Sequence, residues 1–238
     1  MNKYVFNRFE VKYVLTPYQY ELILKEIKNH LHLDQYGETT IQSLYFDTPT
    51  NRLIRNSIER PSYKEKIRLR SYGLSNDDKF VFLELKKKSE KVVFKRRIEI
   101  KEKDVANFIK YGKENPNQIE KEIIYFCNYY KDLQPSMMLL YDRSAYVSVD
   151  SDLRITFDKN TRYRTTNLNL SSNLQGTRLL PNGEILMEIK SSRGYPMWLV
   201  HLLNQNKAYK RRFSKYGTAY EIEYKKNLYR IEEEKEYV

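Results

Sequence analysis

The chain has 238 residues, 40% of them hydrophobic and 14% aromatic, with only 7 Gly and 7 Pro. That is enough apolar material for a packed core, and it excludes disorder, low-complexity tracts and a solenoid. Lys and Arg number 43 against 31 Asp and Glu, a formal net charge of +12, which favours anionic partners: nucleic acid, an anionic membrane or phosphate-rich small molecules.

The N-terminus "MNKYVFNRFEVKYVL" lacks the apolar h-region of a signal peptide. No segment reaches the ~18 apolar residues of a membrane span, so a cytoplasmic address without a span is expected. "VFNRFEVKYVLT" reads as a strand, and Thr16 followed by Pro17 announces a helix through "YQYELILKEIKNHL". "ETTIQSLYFDT" is the next strand and "PTNRLIRNSIE" a short helix. "SYKEKIRLRSYG", "KFVFLELKKKSE" and "KVVFKRRIEIK" then make an antiparallel meander, with breaks at Gly73–Asp78 and Ser89–Glu90. A helical stretch from about Lys103 to Lys131, broken near Asn115–Pro116, leads to three more strands: "SMMLLYDRSAYVSVD", "LRITFDKNTRYRT" and "EILMEIKSS". Helices around "YPMWLVHLLNQN" and "TAYEIEYKKNLYRI" close the chain. The expected fold is α+β: a closed antiparallel β-barrel of about eight strands with helices packed outside, residues 1–238 forming one domain.

Successive strand residues point to opposite faces, so alternate positions sort the charges. Arg8, Glu10 and Lys12 share one side, as do Lys66, Arg68 and Arg70; Phe80, Phe82, Glu84, Lys86 and Lys88; Lys95, Arg97 and Glu99; Tyr141 and Arg143; Arg154, Thr156 and Asp158; and Glu188 and Lys190. The opposite faces carry Ile67, Leu69, Leu83, Leu85 and their like. A solvated outer face explains any one of these rows, but rows of one sign on neighbouring strands repel each other. If the oily faces pack on the helices, the basic faces line a lumen suited to a chain of phosphates, and the few carboxylates suit a bridging Mg²⁺ or Mn²⁺.

"FEVKY", "LYFDT", "KIRLRSY", "ELKKK", "FKRR", "YDRSAY", "LRITFD", "LMEIKSS" and "FSKYG" occur in this order. The series resembles the VTC domain, the catalytic domain of the vacuolar transporter chaperone family within the triphosphate tunnel metalloenzymes (CYTH-like superfamily), from about Tyr4 to Tyr216. The resemblance implies a tunnel barrel that binds triphosphate and polyphosphate with a divalent metal, and a polymerase that builds polyphosphate from ATP. It implies a phosphate-binding and catalytic set of Lys12, Arg68, Arg70, Lys86, Lys95, Arg143, Arg154 and Lys215, with Glu188 as principal metal carboxylate. Lys66, Arg97 and Lys190 join the substrate-binding set by their strand faces, and Glu10 and Glu84 are candidate helpers of Glu188. Arg8 stands where the superfamily's hydrolases often carry the first Glu of a Glu-x-Glu-x-Lys pattern, which moves the reading toward the VTC branch. The sequence shows neither the inositol-phosphate-sensing domain nor the membrane helices of eukaryotic VTC polymerases, so import and that regulation are not carried over.

The expected reaction moves the terminal phosphate of ATP onto polyphosphate or pyrophosphate with Mn²⁺ or Mg²⁺. Hydrolysis by the same site, as a tripolyphosphatase or nucleoside triphosphatase, and a non-catalytic polyphosphate-binding module are the alternatives. A nucleic-acid partner is disfavoured: 22 Tyr lie among Lys and Arg, but helix-turn-helix, RRM and zinc signatures are lacking. His30, His32 and His201 lack ligand spacing for zinc, and Trp198 reads as packing. Cys127 reads as a buried structural thiol, Ser191, Ser192 and Ser214 as capping or bonding hydroxyls, Asp47 as a capped turn, and the acidic run at 232–236 as a solvated tail.

Overall fold

The computed structural model of the protein describes residues 9–59, 61–90 and 92–236. The opening of the first expected strand, including Arg8, lies outside the described residues, as do Lys91 and the side chains of the acidic run. The elements in chain order are β1 (Phe9–Leu15), α1 (Pro17–His30), β2 (His32–Leu33), β3 (Thr39–Asp47), α2 (Arg52–Ile58), β4 (Tyr63–Tyr72), β5 (Phe80–Ser89) and β6 (Val92–Lys101). Then come α3 (Val105–Tyr111), α4 (Gln118–Tyr130), β7 (Gln134–Val147), β8 (Arg154–Arg164), β9 (Thr177–Arg178), β10 (Ile185–Ser191), α5 (Met197–Gln205) and α6 (Lys215–Glu236). β2 and β9 were not foreseen, because two residues are too short to show alternation.

The strands follow the hydrogen-bonded order β1-β10-β8-β7-β3-β4-β5-β6, with β2 on β7 and β9 on β8. The α+β class and the antiparallel pairing agree with expectation; among the described residues this order has two ends, β1 and β6, so the pairing does not show the closure expected of a barrel. Each end has a local reason. Beside β1, Tyr13 bridges Lys210 and the Arg211 N–H donates to the Lys12 carbonyl at 2.7 Å, so a returning segment takes that edge. On β6, Lys95, Arg96 and Arg97 stand in a row, and like charges discourage edge pairing.

The chain divides into two compact units: residues 1–40, 141–162 and 180–213, and residues 41–140, 163–179 and 214–238. In the first, Tyr13, Leu15, Ile155, Phe157, Ile185, Met187 and Ile189 put one sheet face against Ile23, Leu24 and Ile27 of α1 and Leu199, Leu202 and Leu203 of α5. Each buried side chain of this size contributes roughly 1.5–3 kcal/mol. The Thr16 hydroxyl accepts from the Gln19 N–H at 3.2 Å, and Gln19 Oε1 accepts from the Thr16 N–H at 3.0 Å, a reciprocal cap that starts α1 where the sequence placed it. Trp198 is only partly buried and stacks on His30, which ties α5 to α1.

In the second unit, Leu44, Phe46, Ile67, Leu69, Val81, Leu83, Leu85 and Ile98 pack on α3 and α4 through Val105, Phe108, Ile123, Phe126 and Cys127. Burial pushes the Cys127 thiol up to about 12, so it is a protonated packing group. Buried Asp47 fastens α2: its Oδ1 accepts from the N–H of Thr48 and of Leu53 (2.8 Å each), and its Oδ2 from the Ile54 N–H (2.9 Å) and the Tyr216 hydroxyl (3.0 Å). That is the structural role the capped turn suggested.

Candidate functional site

Each unit buries one sheet face in its core and leaves the other for the charges. In the second unit the register sets them in rows. Lys66, Lys86 and Lys95 are directly opposite one another on β4, β5 and β6; the next row is Tyr45, Arg68, Glu84 and Arg97, and the next Ser43, Arg70, Phe82 and Glu99. Directly opposed like charges cost a sheet a few tenths to 1 kcal/mol per pair. The lysine row therefore sets three ammonium-bearing side chains directly side by side.

Glu84 is the hub of this face and only 2% exposed. Its Oε2 receives Arg68 through Nε at 2.8 Å and Nη2 at 2.7 Å, with Arg70 Nε at 3.7 Å; its Oε1 faces Lys95 Nζ at 2.8 Å and Arg97 Nε at 3.7 Å. Burial pushes the Glu84 carboxyl up, but Arg68, Arg70 and Lys95 outweigh it and leave it at about 2. Lys95 sits below the ordinary lysine value: burial lowers it, Glu84 holds it up, and Arg70 and Arg68 push it down again.

Tyr45 accepts a hydrogen bond from Arg68 at 3.0 Å and stacks on Tyr216 with ring centroids 4.3 Å apart. Burial raises its phenol, yet Arg68, Arg70 and Lys215 bring it below its usual value. Lys66 lies over the Tyr216 ring and donates to the Ser214 hydroxyl at 3.5 Å; that hydroxyl also accepts from the Gly217 N–H at 3.2 Å, capping α6. Lys215, expected at a helix start, is the first residue of α6. This unit thus sets Lys66, Arg68, Arg70, Lys86, Lys95 and Arg97 on one face, with Arg68, Arg70, Lys95 and Arg97 around one carboxylate and Lys215 acting on Tyr45.

In the first unit β1 and β10 interleave the signs: Glu10 is opposite Lys190, and Lys12 opposite Glu188. Lys12 Nζ is 3.4 Å from both Glu10 and Glu188, and Lys190 Nζ is 3.5 Å from Glu10 and 3.8 Å from Glu188. Burial lowers the Lys12 ammonium, but Glu188 and then Glu10 outweigh it, so Lys12 is held charged. Arg143 is clamped on buried Asp158 by two bonds of 2.6 and 2.7 Å, with Glu188 at 3.8 Å; despite burial, Asp158 holds its guanidinium well above the ordinary value. Arg154 is on the same face but turns to Asp34 at 2.9 Å.

Several of these features were not read from the sequence. Tyr45 and Tyr216 sit inside quoted motifs, and Tyr45's alternation with Ser43 could have placed it on the basic face. Asp158 had been placed on the right face without its clamp on Arg143. Glu84 was expected beside Glu188 and Glu10 as a metal carboxylate; the structure pairs it with Arg68, Arg70, Lys95 and Arg97.

The residues of the first unit fit a divalent cation. Glu10 and Glu188 are hard oxygen donors on adjacent strands, and the Thr156 hydroxyl, opposite Glu188 in register, is buried with no hydrogen-bond partner. No group of three His, Cys, Asp or Glu side chains placed to hold a metal occurs among the described residues. Mg²⁺ and Mn²⁺ are cations that take one or two carboxylates and complete their shell with water and phosphate oxygen.

Among solved structures, a candidate adenylate cyclase from Bacillus halodurans is similar at a TM-score of 0.55 and 10% identity, covering 87% of this chain and 95% of that one. A candidate adenylyl cyclase from Hippeastrum, with a dominant triphosphatase activity, is similar at a TM-score of 0.53 and 18% identity, covering 87% of this chain and 92% of that one. At such identities the likeness is one of fold. A sequence comparison with curated proteins finds no match. The model of the VTC domain matches residues 7–224, nearly the whole chain, and the protein belongs to the VTC domain family.

Proposed function

We propose that this VTC domain is a metal-dependent phosphotransferase of the polyphosphate polymerase type, acting on a nucleoside triphosphate such as ATP. The observation that carries the reading is the row of Lys66, Lys86 and Lys95, three directly opposed cations next to Arg68 and Arg70, which an anion of several phosphates would neutralise. The resemblance implies that such cations line a tunnel. In the transfer, a terminal oxygen of the acceptor chain attacks the γ-phosphorus, the bond from γ-phosphorus to the β–γ bridging oxygen breaks, and the nucleoside diphosphate leaves.

The cations of the second unit would hold the phosphates and take up charge on the equatorial and leaving oxygens, which is the main protein contribution to such chemistry. Glu188 and Glu10 would hold Mg²⁺ or Mn²⁺, which supplies Lewis-acid neutralisation of phosphoryl oxygens when bound. Lys12 and Lys190 face that carboxylate pair, and Asp158 fixes the direction of Arg143. No covalent nucleophile is called for: Ser214 caps α6, Ser191 accepts from the Arg193 N–H, and Cys127 is buried.

Hydrolysis is the second reading, favoured by the triphosphatase activity of the Hippeastrum protein of similar fold. Incubation with ATP and Mn²⁺ separates the two. Long polyphosphate is expected; orthophosphate alone would assign the hydrolase, and neither product would overturn the enzyme reading. Polyphosphate binding without turnover would leave a receptor.

A further inference from the structure

The charged face of β4, β5 and β6 changes character along its length. It passes from lysines alone (Lys66, Lys86, Lys95), through Arg68, Glu84 and Arg97, to Arg70, Phe82 and Glu99, and then to Phe80 opposite Lys101, with Tyr72 the next residue of that face on β4. Cations continue through every row, but on these three strands aromatic rings join them only in the last two. A phosphate chain has no use for the rings, so they mark where a ligand with an aromatic part would lie.

These aromatics are placed to receive a ring. Phe80 is 53% exposed and Tyr72 40% exposed, on the side of the sheet that carries Arg68, Arg70 and Glu84. Arg97 lies 3.5 Å over the Phe82 ring centroid, and Tyr72 meets Phe82 edge-on with centroids 5.9 Å apart. The backbone beneath is pinned: Lys79 Nζ donates to the carbonyls of Tyr72 at 2.7 Å and Leu74 at 2.6 Å, and Gln42 donates to the Gly73 carbonyl at 2.9 Å. A fixed aromatic surface loses little entropy on binding. At ~3.3 Å per residue, Phe82 lies roughly 13 Å along β5 from Lys86, room for a triphosphate and a ribose between the lysine row and a base.

We propose that Tyr72, Phe80 and Phe82 form a nucleobase platform, with Arg97 bracing Phe82 and Glu99 accepting from a base amino group. The donor selected is then a nucleoside triphosphate in preference to inorganic triphosphate. This inference rests on the triphosphate reading of the neighbouring cations and goes further by naming what recognises the nucleoside.

The test is calorimetric titration of the full chain and of Phe80→Ser and Phe82→Leu with ATP and, separately, with inorganic triphosphate. Loss of base stacking should weaken ATP at least about fivefold while inorganic triphosphate stays within about twofold. Circular dichroism reports folding independently of either ligand, and a variant that does not fold is replaced by Tyr72→Leu. An unchanged ATP affinity in the folded variants overturns the platform and leaves the triphosphate site standing; so does an equal loss of both ligands in a folded variant. Binding of neither ligand by the unaltered chain overturns both readings.

Discussion

The two charged faces use their carboxylates in opposite ways. In the second unit Glu84 is one buried anion among four cations within 3.7 Å, whereas in the first unit Glu10 and Glu188 alternate with Lys12 and Lys190 across two strands. An outnumbered, enclosed carboxylate cannot hand its oxygens to a metal without losing the guanidinium groups it holds in place. A carboxylate pair matched by lysines can exchange an ammonium for a divalent cation at little electrostatic cost. Both Glu84 and Glu188 are buried, so the balance of charge around each is what distinguishes the organising role of Glu84 from the ligating role proposed for Glu188.

The largest expected effect tests the ligating half. Glu188→Ala should lower metal-dependent turnover by about 100-fold or more while much of the affinity for inorganic triphosphate remains. Initial rates across a Mn²⁺ titration, with triphosphate binding measured alongside, check this; parallel loss of both would make Glu188 a structural partner of Lys12 and Arg143.

Next comes the organising half. Glu84→Gln leaves Arg68, Arg70 and Lys95 facing a neutral group, and breaking a buried ion network costs about 3–5 kcal/mol in urea unfolding. Added triphosphate should restore more stability to this variant than to the unaltered chain. Titration gives the same order of magnitude. Glu84 has a folded value of about 2, against about 4.3 in an unfolded chain, a difference of roughly 3 kcal/mol. Because the folded value is depressed, that stability is fully present above about pH 4.3 and is lost as the pH falls toward 2. Glu84→Gln should flatten the stability profile in this window and nowhere else; an unaltered acid limb would mean that other carboxylates govern it.

Much of this contrast was legible in the sequence, and what was missed has a physical reason. Alternation in "KEKIRLR" and "LELKKK" sorted Ile67, Leu69, Leu83 and Leu85 from Lys66, Arg68, Arg70, Glu84 and Lys86, and the core bears out the sorting. Caps at Thr16 and Pro17 were readable because a helix start is decided by neighbours in sequence. Glu84 and Glu188 look alike at that level, each alternating with a lysine, and only the strands on either side distinguish them. Pairing across strands is set by register, which alternation does not fix, so the Arg143–Asp158 clamp and the stack of Tyr45 on Tyr216 lay beyond the pattern. The order of strand pairing, with its ends at β1 and β6, was out of reach for the same reason.

The smallest effect probes the lysine row itself. Lys86 has Lys66 on one side and Lys95 on the other, so Lys86→Met removes two directly opposed like-charge pairs and keeps a stem of similar length. Without ligand the variant should be as stable as the unaltered chain or up to ~1 kcal/mol more stable. Its affinity for inorganic triphosphate should fall about tenfold, the scale of one charge-assisted hydrogen bond, and the salt dependence of binding should become shallower. Stability gained while binding is lost is the signature of cations held together for an absent anion. If Lys86→Met instead destabilises the free protein, the row is held by protein partners, and the site for phosphates must be sought around Arg68 and Arg70 alone.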